Sequence, residues 1–126
     1  MTSFDDVGII LDDIAEELPE IFFKELNGGI NLLPDIKIHP ASNRPGELVI
    51  MGEYRCDPRG LGRYINIYYG SFMRLYSYLE PVQQKERLRG ILLHEITHHL
   101  ESLGGVHTLA LKDAHNLMKY KSRENK

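Results

Sequence analysis

The sequence predicts an α+β fold in one domain spanning residues 1–126. Three observations point there. Apolar residues recur at helical spacing near the N-terminus, the middle is rich in β-branched residues and tyrosines between turn formers, and two more helical patterns close the chain. Hydrophobic residues make up 42% of the chain, enough to build a core, so wholesale disorder is not expected.

The first helix starts at Ser3, whose hydroxyl can cap it, with Asp6 three residues on in the capping-box position. Val7, Leu11, Ile14 and Leu18 then mark one apolar face. Pro19 kinks this helix or opens another, and Ile21, Phe22 and Leu26 continue the apolar face until Asn27-Gly28-Gly29 ends it. A small sheet of about three strands follows: Ile36–Ile38, Glu47–Tyr54 and Arg63–Tyr69. The turn formers from Cys56 to Gly62 join the last two as an antiparallel hairpin. Ser71 is placed to cap a short helix through Tyr78. Pro81 suits the first turn of a long helix that runs to about Leu103, where Gly104-Gly105 breaks it. A last helix is expected from about Thr108 to Tyr120.

Composition narrows the function. Fifteen basic residues against eighteen acidic ones leave a net charge of −3, whereas a dedicated nucleic-acid binder carries a basic excess. No apolar run approaches the roughly 20 residues of a membrane span, and the first residues lack the basic and apolar segments of a signal peptide. One cysteine, Cys56, permits neither an internal disulfide nor a cysteine-rich zinc site. The expectation is a cytoplasmic protein with no nucleic-acid or membrane partner; nothing here sets its oligomeric state.

Residues 94–98 read His-Glu-Ile-Thr-His. On a helix, residues four apart stand about 40° from each other, so His94 and His98 share a face. Two imidazoles on one face make two metal ligands, with Glu95 beside them as general base, and Zn²⁺ suits that donor set. The surrounding helix has the right polarity. Leu88, Leu92, Ile96, Leu100 and Leu103 fall on the side away from His94, whereas Arg87, Gly90, His98 and Glu101 fall with it. The adjacent His99 lies about 140° from His94, inside the apolar arc, and is expected to be structural.

A catalytic zinc usually takes three protein ligands and a water. His107 is the preferred third ligand, because the glycine pair lets the chain fold back. Asp113 competes from a stripe formed with Leu109, Leu117 and Tyr120, where an acid needs a partner. Glu101 shares the ligand face, but one straight helix rarely gives three ligands to one ion, so it suits an outer role. His39 and His115 are assigned to the surface.

The segments LPEIFFKELNGG, RYINIYYGSF and LRGILLHEITHHLESLGG together resemble the minimal zincin-like metallopeptidases, small and mostly bacterial proteins also called minigluzincins. The resemblance covers nearly the whole chain. It implies a zincin-like fold, a zinc site held by His94 and His98, Glu95 as base, and peptidase activity. Many members resemble H-E-x-x-H-x-x-G-x-x-D; here Glu101 stands at the glycine place and His107 lies three residues past Gly104.

The expected activity is zinc-dependent hydrolysis of a peptide or protein substrate. The strand Arg63–Tyr69 is expected to wall the cleft as an edge, with Tyr64 and Tyr68 on one side and Tyr69 on the other as candidate hydrogen-bond donors to an oxyanion. The alternative is a non-catalytic zinc-containing module that holds a peptide or protein. A third, weaker idea is nucleic-acid contact through Arg55, Arg59 and Arg63, which more simply form a solvated edge.

Overall fold

The computed structural model describes residues 2–43, 48–104 and 108–124. It is an α+β fold with four α-helices and a three-stranded main sheet around one hydrophobic core.

Helix α1 (Phe4–Glu17) begins with the expected capping box. The Asp6 amide donates to Ser3 Oγ at 3.1 Å, and the Ser3 amide donates to the Asp6 carboxylate at 3.0 Å. Val7, Leu11, Ile14 and Leu18 are all buried. A 3₁₀ turn, Glu20–Phe23, follows Pro19; it buries Phe22 and leaves Ile21 exposed.

The sheet differs from expectation. Strand β1 (Gly29–Leu33) pairs parallel with β5 (Gly62–Tyr68), which also pairs antiparallel with β4 (Gly52–Asp57). The order is β1-β5-β4. The hairpin is therefore as expected, but β5 lies in the centre and β4 at the edge. The expected edge strand Arg63–Tyr69 is thus paired on both sides. The expected strand Ile36–Ile38 shortens to β2 (Lys37–Ile38), and the expected strand Glu47–Tyr54 divides at Met51 into β3 (Val49–Ile50), which pairs with β2 in a separate two-stranded sheet, and the first half of β4.

Strand alternation gives the main sheet two faces. The row Ile30, Ile65, Tyr54 and the row Leu32, Ile67, Gly52 turn toward the helices, and Ile65 and Ile67 are fully buried. Asn31, Asn66 and Glu53 form the opposite face. There Glu53 accepts from Lys37 Nζ at 2.6 Å and from the Tyr68 hydroxyl at 2.5 Å.

Helix α2 (Tyr69–Tyr76) follows β5 directly, ending short of Tyr78. Ser71 is not its cap: it is buried inside the helix, and its hydroxyl accepts from the Lys37 amide at 2.8 Å. Tyr69, expected at the strand end, is the first residue of α2 and donates to the Thr2 carbonyl at 2.8 Å. Helix α3 (Pro81–Ser102) has Pro81 in its first turn and a second capping box from Glu80 and Gln83. Gly104, at φ +75°, follows its end in the left-handed conformation that glycine adopts without strain.

Helix α3 is the hub, packing on α1, β4, β5 and helix α4 (Thr108–Glu124). Glu17 of α1 pairs with both Lys85 and Arg89 of α3. Against α4 the contact is made by Ala110 and Ala114, both buried, with Leu111 and Met118 beside them. Leu109 is exposed, and Leu117 lies at the surface. The apolar stripe expected through Leu109, Asp113 and Leu117 is therefore not the packed face. The described buried positions of α4 are the small residues Ala110 and Ala114 instead. Among the described residues, no helix is long and apolar enough to cross a membrane.

Candidate metal centre

Helix α3 divides as its sequence predicts. Leu88, Leu92, Ile96 and Leu100 are fully buried, whereas Arg87, Gly90, His94, His98 and Glu101 are exposed or partly exposed. Tertiary packing thus fixes the rotation of the helix, and the rotation presents the two histidines.

The two rings meet at their Nε2 atoms. His94 Nε2 and His98 Nε2 lie 3.2 Å apart, with the rings edge to face at 4.7 Å between centroids. Two nitrogens on one tetrahedral zinc, each about 2.0–2.1 Å from the ion, stand about 3.3 Å from each other. The pair therefore fits two corners of such a site. On the far side of His98, Nδ1 is 3.8 Å from the Glu101 carboxylate. That is beyond hydrogen-bond length, so the carboxylate places a negative charge behind the ring without fixing its tautomer.

Glu95 occupies a different environment. It is 8% exposed, turned between α3 and the edge strand β4. Burial pushes its carboxyl above the ordinary range, against the pull of His94, His98 and a hydrogen bond from the Tyr54 amide. Gly52 makes this approach possible. A methyl group at Gly52 would come within 2.9 Å of Ile91 Cγ2 and 3.3 Å of Glu95 Cγ. No sequence signal singled out Gly52, because its role depends on a helix far along the chain.

The same residue, Tyr54, also reaches the other side of α3. Its hydroxyl lies 3.0 Å from His99 Nδ1 and 2.8 Å from Ser102 Oγ, and accepts from Arg63 at 3.1 Å. His99 is fully buried, and its Nε2 donates to the Lys24 carbonyl at 2.7 Å. Since that carbonyl can only accept, the proton sits on Nε2 and Nδ1 accepts from Tyr54. His99 is structural, as its helical phase predicts. Arg63 is also turned inward, donating to Tyr54 and Ser102, so the expected arginine edge of Arg55, Arg59 and Arg63 does not form as one patch.

A cleft of about 550 Å³ runs along the exposed face of α3. Ile50, Met51 and Gly52 line one wall; Tyr76 and Met118 also line it; His94, Glu95, Ile91, Gly90 and Arg87 belong to α3. The wall is thus built by β3, β4 and Met51 between them, in place of the expected Arg63–Tyr69. Tyr68 is buried and committed to Glu53, and Tyr69 to Thr2. Tyr64 lies on the outer sheet face with Arg55.

His107 lies outside the described residues. Asp113 is exposed on α4, about 140° round that helix from Met118, which lines the cleft. Among the described residues, no group of three His, Cys, Asp or Glu side chains is gathered around one point. The described side chains bring together two imidazole nitrogens and, beside them, one buried carboxylate.

No family model and no curated protein matches the chain. Among solved structures it is similar to a conserved hypothetical protein from Thermus thermophilus, with 31% sequence identity and a TM-score of 0.67. The match covers 82% of this chain and 98% of that one.

Proposed function

The chain belongs to the same family as the Thermus thermophilus protein, and for this member we propose a zincin-like fold and zinc-dependent hydrolysis of peptide bonds. One observation carries the proposal: two imidazole nitrogens 3.2 Å apart on an exposed helix face, with a buried glutamate between them in sequence, at the edge of a cleft.

His94 and His98 would hold the ion, and His107 is the third ligand to test. Zinc so held would supply Lewis acidity at the scissile carbonyl and would make a water there more acidic. Glu95 takes the proton of that water on its carboxylate and delivers it to the departing amine. A partly desolvated carboxylate is a stronger base than one in open water, which favours this transfer. Strand β4 supports the base by holding Glu95 through the Tyr54 amide. As the sheet edge, it also offers backbone groups to an extended substrate.

Elemental analysis of protein purified without an affinity tag tests the reading. The expected result is close to one zinc per chain, retained in Glu95→Gln. A peptide-library digest should then show cleavage by wild type and a loss of about 10²–10⁴-fold in the variant. Equal cleavage by Glu95→Gln would sink the mechanism, and zinc content unchanged in His94→Ala would sink the centre.

A further inference from the structure

The cleft continues past His94 toward the start of α3, and this extension has a chemistry of its own. Arg87 stands on the same face as His94, seven residues earlier, which is two helical turns or about 10.5 Å. Its guanidinium lies 5.4 Å from the centroid of the Tyr76 ring. Among the described residues it has no carboxylate partner. Glu86, also at this end, stands about 100° round the helix from it and so flanks the trough.

Between the cation and the histidine lies Gly90. Glycine in mid-helix costs stability relative to alanine, so its presence needs a reason. Packing among the described residues does not supply one, since a methyl group at Gly90 would meet none of them within 4 Å. The space above it is open, and Met51, Ile91, Tyr76 and Met118 line the same cleft. The trough is thus apolar along this stretch, with the Arg87 guanidinium at its far end and the Glu86 carboxylate to one side.

We propose that this trough takes the C-terminal end of a peptide, its free α-carboxylate on Arg87 and an apolar side chain over Gly90. The distance suits it. Two residues of extended chain span about 6.6 Å, and a carboxylate–guanidinium contact adds roughly 3 Å. With the scissile carbonyl at His94, the terminal carboxylate of a two-residue fragment then reaches Arg87. The chemistry rests on the hydrolytic reading above. Water oxygen bonds to the carbonyl carbon, the C–N bond breaks, and the amine leaves with the proton that Glu95 received, so a short C-terminal fragment is released.

The test uses zinc-loaded Glu95→Gln protein and an N-terminally fluorescein-labelled hexapeptide ending in leucine, as free acid and as C-terminal amide. Anisotropy should show the acid binding at least about tenfold tighter. Arg87→Ala should erase that difference, and Arg87→Lys should keep part of it. Gly90→Leu, with unchanged circular dichroism and zinc content, should weaken both forms by about tenfold. Equal affinity for acid and amide, discrimination that survives Arg87→Ala, or no binding of either form would overturn the proposal. Zinc measured on the same samples separates the two readings. One zinc per chain without discrimination removes only terminal recognition; discrimination without zinc removes only the metal centre.

Discussion

His98 and His99 are consecutive and chemically identical, yet helix α3 places them in opposite environments. The side chain of His98 is 50% exposed, and its Nε2 faces that of His94. His99 is fully buried, with Nε2 donating to Lys24 and Nδ1 accepting from Tyr54. The roughly 100° step of a helix is what separates them. A histidine can serve a metal only while it keeps a free lone pair, and the inner one has spent both nitrogens on the protein.

Exchanging the two histidines for alanine should break this contrast in opposite ways. His98→Ala should lose more zinc affinity than the about 10–100-fold typical of removing an outer hydrogen-bond partner, with little change in stability. Competitive chelator titration and urea unfolding check the two halves. His99→Ala should do the reverse. It leaves a cavity, strands the Lys24 carbonyl and removes one of the partners of the Tyr54 hydroxyl, so stability should fall by about 2–4 kcal/mol while zinc stays bound. A folded His99→Ala protein that has lost zinc would show that the inner face feeds the outer one directly.

Gly52→Ala sharpens the comparison from the strand side. The new methyl would press on Ile91 and Glu95, and Ile91 Cγ2 is a branched methyl close to its backbone, not a pliant chain end. A cost of about 1–3 kcal/mol is expected by thermal unfolding, with hydrolysis reduced and zinc content unchanged. Lost zinc with normal hydrolysis would contradict the division of labour between Glu95 and the histidines.

The Lys37–Glu53 pair provides a milder reference on the outer sheet face. Burial raises the Glu53 carboxyl, but Lys37 and the Tyr68 hydroxyl pull it down further, so it ends below its ordinary value. Lys37 is raised chiefly by its bond to Glu53. A lowered carboxyl stabilises the fold above its unfolded pKa of about 4.3 and loses that contribution as pH falls through the folded value. A raised ammonium stabilises below about 10.4 and loses its contribution as pH rises through the folded value. Wild type should therefore exceed Glu53→Gln by about 1 kcal/mol, evenly from about pH 5 to 9, with the gap closing below about pH 4. Denaturant midpoints across that range check it; a gap that persists at pH 2 would mean that packing, not charge, distinguishes the two.

What the sequence disclosed follows from where the signals lie. The capping box, the phase of α3, and the outward His98 and inward His99 are local patterns within one or two turns, and the structure has them as read. Strand β1 was missed because Gly28-Gly29 reads as a stop, although Ile30 and Leu32 alternate with Asn31. Its parallel partner lies beyond the hairpin, and no local pattern names a partner. The edge position of β4 was missed for the same reason. On α4 the leucines suggested one face, but the described residues buried there are Ala110 and Ala114, small side chains that a pattern of large apolar residues does not pick out. Arg87 and Gly90 fell on the ligand face of the wheel, but only the cleft gives them a neighbourhood.

The bond from the Tyr54 amide to Glu95 also sets a sequence of events in time. His94 and His98 are one helical turn apart and meet as soon as that turn forms, a local event. Glu95 is buried only when β4, from far up the chain, closes a long loop onto α3. A chain leaving the ribosome therefore brings its two imidazoles together before it acquires a sheltered base. On the proposed chemistry, a nascent or partly unfolded copy can capture metal but cannot use it to cut, and the finished fold acts as the safety catch.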